Sequence, residues 1–259
     1  MSKIPKVIHF CWISNDYPEL VVKCMESWKR NLPEYEIKRW DSSNFDFNAC
    51  QFVKEAYEAK KYAFVSDYVR LYVLYHYGGI YLDTDIEVLR NFDDLLDNSA
   101  FTSFENDYSI AAWIFGSEKG NPLFAEFLKY YEERPFKLKD GTYDMAPNPY
   151  PLTKICIEHG LVLNNKTQKI ENMTVYSMDY FCPYNHISDT LNISENSYCI
   201  HYFNGGWFSK KQKTRVRRRQ MISKRFGKFA SKLYYGCSLL LDEGWGQFIK
   251  EVKYYLKKY

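Results

Sequence analysis

The sequence predicts an α/β domain on a parallel sheet, followed by a basic helical region. Three observations carry this. Strand and helix patterns alternate up to about residue 159. Two carboxylates, Asp83 and Asp85, close a short apolar strand. Eleven basic side chains and no acid fall between residues 210 and 232.

Each element has its own signal. Val7 to Ile13 is almost continuously apolar and β-rich, as a strand buried on both faces should be. Leu20, Val21, Cys24, Met25 and Trp28 recur at helical spacing, which predicts an amphipathic helix over 19–30. Tyr35 to Trp40 alternates and stops at Asp41. Strand, helix and strand in that order build a right-handed crossover between parallel strands. Residues 49–77 are helical in pattern, with Phe64, Tyr68, Leu71, Tyr72 and Tyr75 on the apolar face. Gly78-Gly79 ends that helix, because glycine takes a left-handed cap without steric cost. Ile80-Tyr81-Leu82 is then a strand leading into Asp83-Thr84-Asp85. Further strands are expected at 100–104 and 110–115, and a helix from Asn121-Pro122 to Tyr131. A loop rich in Pro, Asn and Gly over 134–151 precedes a helix at 152–159, and short strands fall within 162–182 and 198–201. Beyond Trp207, Ile222, Phe226, Phe229 and Leu233 form one helical stripe, and Phe248 to Tyr259 carry a second.

Composition narrows the function classes. The 259 residues contain 46% hydrophobic and 19% aromatic side chains, enough for a substantial core. The net charge of +3 conceals a segregation. Removing the eleven basic residues of 210–232 from the total of 35 leaves 24 against 32 acidic residues, so the body is acidic. The seven cysteines are irregularly spaced with no C-x-x-C, which fits neither a disulfide framework nor a zinc site and favours a reducing compartment. The first residues predict no secretory signal, and no apolar run reaches the roughly 20 residues of a membrane span. Without secretion, the N-x-[S/T] triplets at Asn165, Asn172 and Asn192 carry no function.

The chemistry centres on Asp83 and Asp85. Ligands of α/β sheets bind at the carboxyl ends of strands. Carboxylates one residue apart point the same way along an extended chain, so one can hold a hard divalent cation while the other reaches a hydroxyl or the cation's water. An isolated D-x-D is usually a pair of solvated carboxylates, and its setting after a buried strand and Gly-Gly is what singles this one out. Upstream, Asp67 and Arg70 stand three apart on one helical face. They are either a surface ion pair or a pair aimed at the same pocket as Asp83.

The block Ser66-Asp67-Tyr68-Val69-Arg70 … Gly78-Gly79-Ile80-Tyr81-Leu82-Asp83-Thr84-Asp85 resembles the S-D-x-x-R … G-G-x-Y-x-D-x-D signature of glycosyltransferase family 32. Ile4 to Ile13 resembles that family's opening strand, and Ile200 to Trp207 its closing element, with Gly206 where serine is usual. The resemblance implies a GT-A-type, Rossmann-like nucleotide-sugar-binding domain that transfers a hexose with retention. Trp12 would stack on the nucleotide base. Asp67 and Arg70 would hold the donor sugar, Asp83 the ribose or sugar, with Thr84 beside it. Asp85 and His201 would ligate Mn2+ or Mg2+, and Trp207 would lie against the diphosphate. Asp67, Arg70, Asp83 and Asp85 are thus the expected catalytic group, and no nucleophile is evident from spacing. His9 and Trp28 are assigned to the core.

The expected organisation is a catalytic domain over 1–208 and a basic helical region over 209–259. The basic region is open to three readings: a solvated helix face, a nucleic-acid site, or docking on an anionic membrane, where each nearby Lys or Arg contributes about 1 kcal/mol. Interleaved Phe, Leu and Tyr favour the membrane over nucleic acid. The resulting expectation is a cytoplasmic enzyme, peripheral on the inner face of the cell membrane. It would use a nucleotide-sugar, UDP-hexose in first place, and a glycan or lipid-linked acceptor in capsular or surface polysaccharide synthesis. A non-catalytic sugar-nucleotide binder and a toxin-like protein glycosyltransferase are the alternatives.

Overall fold

The computed structural model describes residues 3–185, 190–205 and 210–256. Trp207 lies outside them. The opening strand–helix–strand is present as β1 (Val7–Cys11), α1 (Glu19–Asn31) and β2 (Glu36–Trp40). The helical stretch expected over 49–77 is two helices, α2 (Gln51–Glu58) and α3 (Tyr62–Tyr77). Lys60 between them has φ 56, which breaks the helical path. The chain continues through β3 (Gly79–Leu82), β4 (Ile86–Val88), β5 (Ala100–Asn106), β6 (Ser109–Ile110) and β7 (Ile114–Ser117). The single strand expected at 110–115 is therefore split. Next come α4 (Pro122–Glu132), capped by the Asn121 side chain with proline in its first turn, and α5 (Pro149–Glu158). The remaining strands are β8 (Gln168–Ile170), β9 (Met173–Tyr176), β10 (Tyr184–Asn185), β11 (Thr190–Leu191) and β12 (Cys199–His201).

Two compact units result. The first comprises Met1–Pro183 and Ile193–Tyr202, the second Tyr184–Asn192 and Phe203–Tyr259. In the first, the main sheet runs β2-β1-β3-β7-β5-β9-β8, with β6 on β5. β1, β2, β3, β5 and β9 share one direction, and β7 and β8 oppose them. Alternation along the strands sends side chains into two cores. Tyr81, Phe104 and Phe115 pack with residues of α2 to α5, while Ile8, Phe10, Ile80, Leu82 and Phe101 pack with Trp28 of α1.

One buried network fixes the middle of the sheet. Trp40 Nε1 donates to His9 Nδ1 at 3.1 Å, and an indole can only donate. The imidazole proton therefore sits on Nε2, which donates to the Gly78 carbonyl at 2.8 Å. Burial lowers the His9 pKa to about 4, so the ring stays neutral. Gly78 and Gly79 have φ 70 and 105. A Cβ on Gly79 would lie 2.8 Å from the Val7 carbonyl oxygen and 2.9 Å from His9 Nε2. The turn thus needs glycine for its backbone and for space.

In the second unit, β10 and β11 pair antiparallel. Helix α6 (Lys210–Leu256) is interrupted at Gly227 (φ 82, ψ 174) and Gly244 (φ 79, ψ 176), giving helical stretches 210–226, 228–243 and 245–256. The stripe expected from Ile222 to Leu233 is cut at Gly227, so Phe226 and Phe229 stand on different helical stretches. Phe226, Phe229 and Leu233 are exposed.

Gly79→Ala is expected to cost about 1–3 kcal/mol in backbone strain alone. A lowered urea midpoint at unchanged slope in equilibrium unfolding would show it.

Candidate active site

The site forms where β3 ends. Its anchor is Arg70 on α3, only 4% exposed. The guanidinium Nη2 lies 3.2 Å from Asp67 Oδ1 and 3.1 Å from Asp83 Oδ1, and Nη1 donates to the Ala112 carbonyl. One cation thus joins two acids that are 16 residues apart in the chain. The pair expected three apart on one helical face is not a solvated surface pair, since the Asp67 side chain is 13% exposed. Asn148 Nδ2 donates to Asp67 Oδ1 at 3.0 Å, and Tyr131 hydroxyl donates to Asn148 Oδ1 at 3.0 Å. Burial raises the Asp67 pKa against the opposing pull of Arg70. Burial likewise pushes Asp83 up to about 6, with Arg70 opposing and Asp85 adding to the rise.

Asp83, Thr84 and Asp85 form the turn between β3 and β4, all half-buried. His201 reaches them through the backbone. β12 pairs antiparallel with β4, His201 against Ile86, and Tyr202 N–H donates to the Asp85 carbonyl at 3.1 Å. His201 Nε2 then lies 3.3 Å from Asp85 Oδ1. Burial alone would lower the His201 pKa; Asp85, Asp83 and Glu105 outweigh it and raise it. Helix α1 clamps β4 in place. Trp28 Nε1 donates to the Ile86 carbonyl at 2.7 Å, Asn31 Nδ2 to the Val88 carbonyl at 2.7 Å, and Ser27 Oγ accepts from Val88 N–H at 2.9 Å. Lys23 adds bonds to Glu87 at 2.8 Å and the Tyr202 hydroxyl at 2.9 Å.

Asp83, Asp85 and His201 each present a ligand atom, all within 4.8 Å of one another. Two ligands on one cation at octahedral bond lengths stand about 3 to 4.2 Å apart. Two carboxylates and an imidazole within 4.8 Å need only a small inward adjustment to meet on one hard divalent cation, and they would leave positions for phosphate oxygens.

Trp12 is half-buried at the end of β1 and stacks on Tyr17, with centroids 5.6 Å apart and planes at 24°. Arg39 fixes that loop, donating to the Trp12 carbonyl at 3.0 Å and the Tyr17 hydroxyl at 3.0 Å. The structure thus gathers Asp67, Arg70, Asp83, Thr84, Asp85 and His201 around one turn, and gives Trp12 an aromatic neighbour. Spacing alone missed Asn148, Glu105 and Trp113. Glu105 had a usable signal: like Asp83, it is a carboxylate closing an apolar strand. Trp113 had none, because its place is set by its carbonyl accepting from Asp83 N–H at 2.9 Å.

Residues 18–102 match the family model described as a glycosyltransferase sugar-binding region containing a DXD motif. The match contains Asp67, Arg70, Asp83 and Asp85; His201 lies beyond it. The chain is 34% identical over 132 residues to inositol phosphoceramide mannosyltransferase 3 of Schizosaccharomyces pombe, covering 49% of this chain and 37% of that protein. It is 31% identical over 134 residues to mannosyl phosphorylinositol ceramide synthase CSH1 of Saccharomyces cerevisiae, covering 49% and 35%. The alignments thus span little more than a third of these relatives. A solved structure, PaToxG glycosyltransferase, superposes with a TM-score of 0.44 at 17% identity, over 60% of this chain and 69% of that one.

Two outcomes follow from the buried charges. Replacing Arg70 by Met leaves Asp67 and Asp83 without their cation and should cost about 3–5 kcal/mol near neutral pH. The loss should shrink toward pH 5, where the acids take up protons; urea titrations at both values check it. In the unaltered protein, Asp83 has a folded pKa of about 6 against 3.8 as its ordinary value. This group therefore favours the folded state below pH 4, and that contribution is lost as pH rises through 6. A divalent cation held by Asp83 would need the deprotonated form, so any manganese affinity seen by calorimetry should fall about tenfold between pH 7 and pH 5 on this group alone.

Proposed function

We propose that the chain is a metal-dependent glycosyltransferase that moves a hexose from a nucleotide-sugar to a glycan or lipid-linked acceptor with retention. The observation that carries this is the convergence of Asp83, Asp85 and His201 within 4.8 Å, beside a buried Arg70 that binds both Asp67 and Asp83.

Asp85 and His201 would hold Mn2+ or Mg2+, with Asp83 alongside. The cation would act as a Lewis acid on the departing diphosphate. Arg70 keeps Asp67 and Asp83 in fixed positions, so their free oxygens are preorganised to accept from sugar hydroxyls. Carboxylates this close to the sugar also stabilise an oxocarbenium-like centre. The acceptor hydroxyl would attack from the leaving-group face, its proton passing to the departing phosphate. Trp12, with Tyr17 at its side, offers a flat surface for the base without burying a charge. From the resemblance alone, Trp207 would lie against the diphosphate.

UDP-hexose remains the first donor to test. The names of the two relatives add mannose to the sugars to test and an inositol-containing lipid to the acceptor classes. We further propose peripheral attachment to an anionic membrane surface, on the cytoplasmic face, in surface or capsular polysaccharide synthesis. Its support lies in the second unit, where Phe229 is 81%, Leu241 87% and Trp245 70% exposed on or beside a strongly basic stretch. No described helix is long and apolar enough to cross a membrane.

Hydrolysis of UDP- and GDP-hexoses with manganese tests the enzymatic reading. Asp85→Asn should lower turnover at least 100-fold; wild-type metal-dependent rates in that variant would rule the site out. Co-sedimentation with vesicles containing phosphatidylserine tests attachment. Binding should weaken as salt rises and fall when Arg217, Arg218 and Arg219 are changed to Gln.

A further inference from the structure

Beside the cation ligands stand two polar groups that the reading above does not use. Glu105 sits at the carboxyl end of β5, half-buried, on the edge of the sheet where β3 delivers Asp83. Its carboxylate feels the charges of His201 and Asp83 and the indole of Trp113. Trp113 is 3% exposed and its ring lies 4.6 Å from that of His201. Its Nε1 is fully buried and makes no hydrogen bond of normal geometry, although it is directed toward Glu105.

The placement of Trp113 is built in. Its carbonyl accepts from Asp83 N–H at 2.9 Å, and the preceding carbonyl, of Ala112, accepts from Arg70. On the other side, Thr102 Oγ1 bonds the carbonyls of Ala111 at 2.8 Å and Ile114 at 2.9 Å. The loop that carries the orphan donor is therefore held by both the sugar-binding arginine and the cation-binding turn. A buried N–H left unpaired costs the full desolvation of that group. The Glu105 carboxylate that faces it has this indole as a neighbouring donor and keeps further lone pairs to fill. An alcohol supplies both needs, since one hydroxyl donates and accepts.

We infer that Glu105 and the Trp113 indole N–H form a hydroxyl-binding subsite for the donor sugar, on the His201 side of the cation ligands. The inference rests on the glycosyltransferase reading. Asp67 and Arg70 approach from the Asp83 side, so the sugar is gripped from two directions. Glu105 accepts from a ring hydroxyl and Trp113 donates to the same oxygen. The pair thereby selects the configuration of one carbon of the hexose. A water molecule satisfying the same groups is the competing occupant.

The test compares wild type, Glu105→Gln and Trp113→Phe. Hydrolysis is measured on the UDP- and GDP-hexose panel, and on deoxy analogues of the best donor. Melting temperature and calorimetric binding of manganese with UDP or GDP are followed in parallel. The subsite predicts a 10- to 100-fold fall in kcat/KM for Glu105→Gln with nucleotide and manganese binding unchanged. It also predicts one deoxy analogue that wild type handles poorly and Glu105→Gln handles no worse than the parent donor. Wild-type kcat/KM in Glu105→Gln overturns the subsite alone, as a bound water would require. Equal loss of manganese–nucleotide binding also overturns it, since Glu105 would then serve the cation. If Glu105→Gln does not fold, Trp113→Phe, which keeps the ring against His201, decides by the same readouts. A wild-type chain that hydrolyses no donor overturns this inference together with the reading it rests on.

Discussion

The site depends on a buried positive charge. Arg70 is held away from water, which is affordable only because Asp67, Asp83 and the Ala112 carbonyl surround it. Each of those partners belongs to a different stretch of chain: a helix, the end of a strand, and the loop before β7. The guanidinium's rigid fork therefore sets three backbone positions at once. Without it, two desolvated carboxylates would either separate or take up protons, and neither state would preserve the cluster of Asp83 with Asp85 and His201.

The second constraint is delivery of His201. Asp83 and Asp85 come from β3 and its turn, whereas His201 comes from a strand more than 100 residues later. The β4–β12 ladder closes that gap, and α1 stiffens β4 through the indole of Trp28, the amide of Asn31 and the hydroxyl of Ser27. Trp28 is thus structural, as its place in an apolar helix stripe implies, but its N–H acts on the strand that follows Asp85. The neutral His9 between Trp40 and Gly78 plays the matching role at the other end of β3. Packing and chemistry meet at these strand ends, where a few directional bonds turn a generic sheet into a defined site.

What could be read from the sequence was local. Asp83, Asp85, Asp67 and Arg70 stand out because strand and helix geometry make residues two or three apart neighbours. Gly78-Gly79 was legible because an abrupt end to a helix needs glycine. His201 was reachable only through the resemblance of its surroundings, since nothing in a lone histidine announces a ladder with β4. Glu105 shared the signal of Asp83, a carboxylate closing an apolar strand, whereas Trp113 lay beyond both routes. The relation of Trp113 to Asp83 is made by a backbone carbonyl between β6 and β7, where side-chain pattern says only "strand". The stripe from Ile222 to Leu233 misled for a related reason. Counting residues assumes an unbroken helix, and the glycine inside the count interrupts it.

Gly227 also gives the positive segment a definite length. The stretch 210–226 holds nine of the eleven basic residues on a helix about 25 Å long. Lys211, Arg215 and Arg219 stand four apart, and so do Lys213 and Arg217, with no acid in the segment to intervene. Like charges at that spacing oppose the helix they ride on. A rod of such linear charge density gathers small anions, much as DNA gathers cations, and a polyanionic surface frees them on contact. The folding of this helix and the ions around it are therefore one equilibrium. Neutralising the segment favours its secondary structure as well.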